Sequence, residues 1–158
     1  MNNFWLHFFH QAFFGGIAAA GFGILFNCPP RMILQCFGSG AVALAVRTAG
    51  QTANLNLAEA SFFAALVVAT AERVLQLQSS HGSILSLVGC IPMVPGSTAA
   101  NGLMNLYALL RAQPSEEILA ATDGMRHLLE VTFTLAAIGT ALAIPRLIYP
   151  KKKTPLLS

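Results

Sequence analysis

The stretch "CIPMVPGSTAANG", Cys90 to Gly102, puts two prolines and a glycine within five residues, Pro92 to Gly96, inside one of the most apolar parts of the chain. Pro95 lacks a backbone donor and crowds the carbonyl four residues before it, and Gly96 loosens the backbone just beyond. In lipid, each freed backbone group needs a partner inside the protein or in a water-filled cavity. A helix restarting at Gly96, Ser97 and Thr98 presents free N–H groups and hydroxyls at its N-terminus. That end carries about half a positive charge and suits a carboxylate or another anion. Asn101 and Asn105 follow one turn apart, with Thr98 on their face. Transporters hold substrate near the midplane at such discontinuous helices. Pro92, Pro95, Gly96, Ser97, Thr98, Asn101 and Asn105 are therefore the first candidate substrate site, and Arg47 could add positive charge to the pathway or snorkel to the interface. The other reading is a proline kink that only shapes the bundle, its hydroxyls bonded back to the chain. The residues leave both open.

A second constellation is "TDGMRHLLE", in which Asp123, Arg126, His127 and Glu130 share one helical face. Asp123 can meet His127, and Arg126 can meet Glu130, at the i,i+4 spacing. Buried, a carboxylate–histidine stripe could relay protons. Exposed, it is a self-neutralising turn above the bilayer, which the apolar run beginning only after Glu130 favours. Glu59 enters an apolar run with no cation nearby in sequence and joins Asp123, His127 and Glu130 as a proton-coupling candidate. Glu72 beside Arg73 reads as an interfacial pair, and His7, His10 and His81 as interfacial residues. Cys28, Cys36 and Cys90 lack metal or disulfide spacing and read as small hydrophobes. No Ser–His–Asp, HExxH, Walker or dinucleotide pattern occurs, so no catalytic residue, metal site or cofactor is expected, and the chain is not read as an enzyme.

The elements that position these residues follow from composition. Of 158 residues, 55% are hydrophobic and 9% charged, and the mean hydropathy is +0.64. Soluble domains carry about 25% charged residues, so this chain reads as an all-α integral membrane protein, a single transmembrane domain over residues 1–158. The N-terminus has neither a positive n-region nor a small-residue cleavage signal, and is not read as a removed signal peptide. About 20 apolar residues make a span, which gives about five: 8–26, 33–49, 57–77, 84–110 with the break at "PMVPG", and 118–148. Pro29 and Pro30 stop the first, and a basic tail occupies 150–158. Gly15, Ala19 and Gly23 share one face of the first helix and Ala41, Ala45 and Ala49 one face of the second, which permits close helix packing.

Five spans put the termini on opposite sides. Arg31, Arg73, Arg146 and Lys151, Lys152 and Lys153 then fall on one side and Arg47 and Arg111 on the other, so the positive-inside rule predicts N-terminus out and C-terminus cytoplasmic. Trp5, Tyr107 and Tyr149 lie near predicted span ends. The net charge of +3 is scattered and gives no reason to expect nucleic acid. Membrane lipid is the expected surrounding.

"IPMVPGSTA", Ile91 to Ala99, resembles the PMxPG-type signature of the threonine/serine exporter family in its small, separately encoded subunit form. "GFGILFNCPPR" resembles that family's early "GF…FN.P.R" segment, and "ALAIPRLIYPKKK" its proline-containing last span and basic tail. The resemblance implies a bacterial inner-membrane protein working with a larger partner subunit of the same family, the two halves being fused elsewhere. It implies export of threonine and serine, or of a dicarboxylate such as succinate, driven by the proton gradient. Pro92, Pro95 and Gly96 carry over by position, followed by Asn27 and Pro29. Ser97, Thr98 and Asn101 rest on the helix break alone, and the Asp123–Glu130 stripe matches no family signature. An alternative is a structural or assembly subunit whose partner holds the substrate site; another is a homo-oligomeric module transporting alone.

Overall fold

Apolar runs fix where helices form, and short polar or proline-bearing stretches fix where they end. The computed structural model describes residues 2–74, 84–110 and 117–148. His81, Arg111, Tyr149 and the tail 150–158 lie outside the described residues. The described elements are α1 (Asn2–Leu25), α2 (Pro30–Thr52), α3 (Leu57–Val74), α4 (Ile84–Cys90), a single 3-10 turn (Ile91–Met93), α5 (Gly96–Leu109) and α6 (Glu117–Ile148). All are helical, as expected of an all-α membrane protein.

The "FNCPPR" segment turns the chain by two devices. Asn27 adopts a left-handed φ of 56°. Its N–H donates to the Ile24 carbonyl and that of Cys28 to the Gly23 carbonyl, each at 2.9 Å, which closes α1 in a Schellman motif. Pro29 then caps α2 and Pro30 begins it, where the missing donor costs nothing. Asn54, at φ 64°, ends α2 in the same way, with the Leu55 N–H on the Gly50 carbonyl.

α1 packs on α2, α2 on α3, α3 on α6 and α6 on α5, while α4 is wedged against α1, α2 and α3. The core joins Ala43, Ala64, Ala65, Val68 and Ala69 to Cys90, Met93, Ile138, Ala141 and Leu142. Gly15, Ala19 and Gly23 do face α2 closely. Their partners are Gly40 and Cys36, not the expected row Ala41, Ala45 and Ala49, of which Ala49 is exposed. A Cβ at Gly40 would collide with the Ala19 methyl and the Gly15 carbonyl, so only glycine permits this crossing.

Among the described residues, α1, α2 and α6 are long and apolar enough to cross a membrane, and the pair Ile84–Met93 and Gly96–Leu109, bent by 49°, makes a fourth span if taken as one. The expected interruption at "PMVPG" is present. α3 is the fifth member of the bundle. Its 18 described residues are as apolar as those of α2, and what sets it apart from the other spans is that they carry three charges, Glu59, Glu72 and Arg73, within so short a length.

Candidate functional site

Pro95 forces the break, and several of the freed backbone groups find new partners. The Val94 N–H turns back to the Ile91 carbonyl at 3.0 Å, and the Gly96 N–H to the Val94 carbonyl at 2.8 Å. Pro95 itself is the N-cap of α5, whose first bond runs from the Ala99 N–H to the Pro95 carbonyl at 3.0 Å. In an unbroken helix the Met93 carbonyl would accept from Ser97. Here Arg47 of α2 reaches it instead, donating from Nη1 at 2.6 Å. The arginine singled out from the sequence thus lies at the break, on a carbonyl that the restart of the helix leaves without its Ser97 partner.

The two arms sit in unlike surroundings. α4 and the 3-10 turn together rise about 16 Å and are enclosed: Leu85, Val88, Gly89, Cys90 and Met93 are all buried. α5 rises about 21 Å and, among the described residues, packs mainly on α6 and buries only Gly102. Among the described residues, the Ser97 and Thr98 N–H groups have no backbone acceptor and their hydroxyls no partner. A Cβ at Gly96 would meet nothing within 4 Å. Ser97 and Asn101 are exposed, Thr98, Asn105 and Pro92 half-buried, and Pro95 buried. The polar face is therefore divided, with Thr98 and Asn105 turned toward the bundle and Asn101 away from it.

The proton-coupling candidates separate into two places. Glu59 is exposed, and its Oε2 accepts the Asn56 N–H at 3.0 Å, the N3 half of a capping box at the start of α3. It also lines an open crevice of about 790 Å³ between α3 and α6, together with Asn56, Arg126, Glu130 and Thr140. Sequence spacing could not bring Glu59 to Arg126 and Glu130; the packing of α3 on α6 does.

On α6 neither expected i,i+4 pair forms. His127 Nδ1 instead lies 3.9 Å from Glu130 Oε2, an i,i+3 ion-pair contact too long for a hydrogen bond. His127 backs onto Gly102, where an added Cβ would meet its own Cβ at 3.2 Å, and this fixes its direction toward α5. Asp123 and Arg126 are exposed.

Glu72 departs most from its reading as an interfacial partner of Arg73. It is only 4% exposed, and its Oε2 accepts the Ser86 N–H in the first turn of α4 at 3.0 Å. The signal was available: Ser61, Ala65, Val68 and Glu72 recur at helical spacing, and the first three are core-facing. Adjacent residues on a helix point about 100° apart, so Glu72 and Arg73 do not share a face.

Comparison with known proteins follows the same division. A relative from Haemophilus influenzae, an uncharacterized protein, is 25% identical over 151 residues, which cover 95% of this chain and 50% of the relative. The chain thus spans about half the length of the curated relative it matches. No solved structure matches it. The profile of the Threonine/Serine exporter family, ThrE, matches residues 11–148, all but the first ten and last ten residues. A helical membrane bundle with an interrupted span, matched over nearly its whole length, belongs to this exporter family.

Proposed function

We propose that the chain exports a small carboxylate-bearing metabolite, threonine or serine or a dicarboxylate such as succinate, across the bacterial inner membrane. In this reading it is the small subunit of a secondary transporter, paired with a larger subunit of the same family and driven by the proton gradient. The observation that carries it is the open N-terminus of α5, where the Ser97 and Thr98 N–H groups and hydroxyls lie unpartnered beside open space at Gly96. Two free N–H groups at a helix start match the geometry of a carboxylate. Arg47 at the neighbouring arm adds positive charge to the same break. Asn105, turned with Thr98 toward the bundle, lies further along α5 for the substrate's amino or second carboxyl group.

The length of the Haemophilus relative, about twice the matched segment, supports a partner of comparable size. So does the exposure of α5, whose outward Asn101 needs a polar neighbour in lipid. With Arg47 engaged inside the bundle, the cations left at its ends keep the bias that predicts N-terminus out and C-terminus in. Alternating access would come from this bundle rocking against the partner.

The same exposure of Ser97 and Asn101 also favours a second reading, in which this face of α5 is an assembly surface and the partner holds the substrate. Radiolabelled efflux from cells expressing the chain with its partner separates the two. Gly96→Leu projects into open space, so it leaves the fold intact while covering the α5 N-terminus. With Gly96→Leu or Ser97→Ala/Thr98→Ala, loss of efflux at matched complex levels places the break on the substrate path. Unchanged efflux with an intact complex overturns that reading. Loss of the complex itself assigns α5 to assembly.

A further inference from the structure

A second polar feature lies in the bundle at the far end of α4 from the break. A cavity of about 240 Å³ between α2, α3 and α4 is lined by Gln35, Ser39, Val42, Val68, Glu72 and Leu85, among others. Its enclosed, unpartnered polar atoms are acceptors. Glu72 Oε1 and Gln35 Oε1 are both enclosed, and neither has a hydrogen-bond partner among the described residues. Ser39 supplies no donor to them, because its hydroxyl is turned to the Cys36 carbonyl at 2.8 Å and the Leu85 carbonyl at 3.4 Å. Among the described residues no cation is paired with Glu72. Orphaned acceptors in a low-dielectric site have no use for an anion. What they lack is a proton or a metal cation.

We propose that Glu72 is the proton-binding site of this exporter, with Oε1 taking the proton inside the α2–α3–α4 cavity. The inference rests on the exporter reading above and deepens it. Proton arrival converts Oε1 from an unpaired acceptor into a donor, with Gln35 Oε1 an open acceptor on the same cavity wall. It also neutralises the carboxylate that holds the Ser86 N–H, turning a charge-assisted bond into an ordinary one. α4 is short and enclosed: Ser86 lies in its first turn, and the Met93 carbonyl held by Arg47 lies just past its end. A proton at one end of this arm therefore acts on the element whose other end forms the break. Among the described residues the groups around Glu72 are few. Cys90 of α4 lies within its electrostatic reach, and Arg73 is its chain neighbour. On α2, Cys36 lies with Ala19, Leu85 and Val88, and Arg31 is exposed; on α6, Arg146 is exposed.

The test is labelling of the full chain in native membranes with dicyclohexylcarbodiimide, which reacts with protonated carboxyl groups in apolar surroundings, read by mass spectrometry of the Glu72 peptide. The expected result is an adduct on Glu72 whose yield falls as the pH is raised. It should be indifferent to exchanging sodium for potassium and absent in Glu72→Gln. That variant keeps an oxygen for the Ser86 N–H, and the native titration stands by itself if the variant fails to assemble. No adduct at any pH, or an adduct independent of pH, overturns the proposal. Suppression by sodium but not potassium at constant pH also overturns it, assigning the cavity to a metal cation. Labelling needs no transport, so its failure is distinct from a failure of the exporter reading, which acid-driven flux of labelled substrate would report.

Discussion

Replacing Arg47 with methionine isolates what the cation contributes at the break. Methionine keeps much of the apolar stem and removes the donor, leaving the Met93 carbonyl without the partner it has at 2.6 Å. Hydrogen bonds to charged groups contribute about 1.5–3 kcal/mol, and an orphaned buried acceptor costs a similar amount. In bilayers the unfolded reference state also finds partners, which lowers such values toward about 1 kcal/mol. A loss of about 2 kcal/mol lies between these bounds and corresponds to about a 30-fold shift in the folded-to-unfolded ratio. Unfolding in mixed micelles by increasing dodecyl sulfate fraction, followed by far-ultraviolet circular dichroism, would read it. Arg47→Lys should lose roughly half as much, because an ammonium donates to a carbonyl but carries no planar fork. Arg31→Met at the exposed start of α2 should stay within about 0.5 kcal/mol. If Arg47→Met unfolds at the native midpoint, the Met93 carbonyl is satisfied by other means and the arginine is not the brace of the break.

Three further outcomes follow from the packing. Gly40→Leu should remove most folded protein from membranes, because even its Cβ meets the Ala19 methyl and the Gly15 carbonyl, whereas Gly38→Ala, which faces open space, should be neutral or slightly stabilising in the same micelle assay. Glu59→Ala should cost about 1 kcal/mol through the lost Asn56 N–H bond while leaving the pH dependence of efflux unchanged. Asp123→Asn, His127→Gln and Glu130→Gln should likewise retain that pH dependence, since Asp123 is exposed, Glu130 is part-exposed, and His127, although its Nδ1 is enclosed, is only half-buried; its loss in any one would move the coupling proton to the α6 crevice.

What could be read from the sequence was what local rules decide. Two prolines and an asparagine in "FNCPPR" mark a helix end and a helix start, and the structure places a left-handed Asn27 and an N-terminal Pro30 there. Pro95 and Gly96 mark the break, and α5 begins at Gly96. Local rules fail where a side chain's meaning depends on another helix. Glu72 and Arg73 are neighbours in sequence and look like a pair, yet Glu72 turns inward to Ser86, fourteen residues on. Arg47 looks like a snorkelling cation near a helix end, yet it reaches a carbonyl 46 residues away. Glu59 and Glu130 read as separate acids, and the contact of α3 with α6 sets them around one crevice. The common cause is that a bilayer offers no water to a stray polar group, so side chains such as Arg47 and Glu72 are drawn to a backbone group the helices leave unpaired. The useful question for a charged residue in such a chain is therefore which broken or starting helix lacks a donor or an acceptor. Asked of Arg47, it leads to the Met93 carbonyl left open at the break. For Glu72 it leads to the first turn of α4 and leaves one oxygen over, the oxygen on which the proton assignment stands.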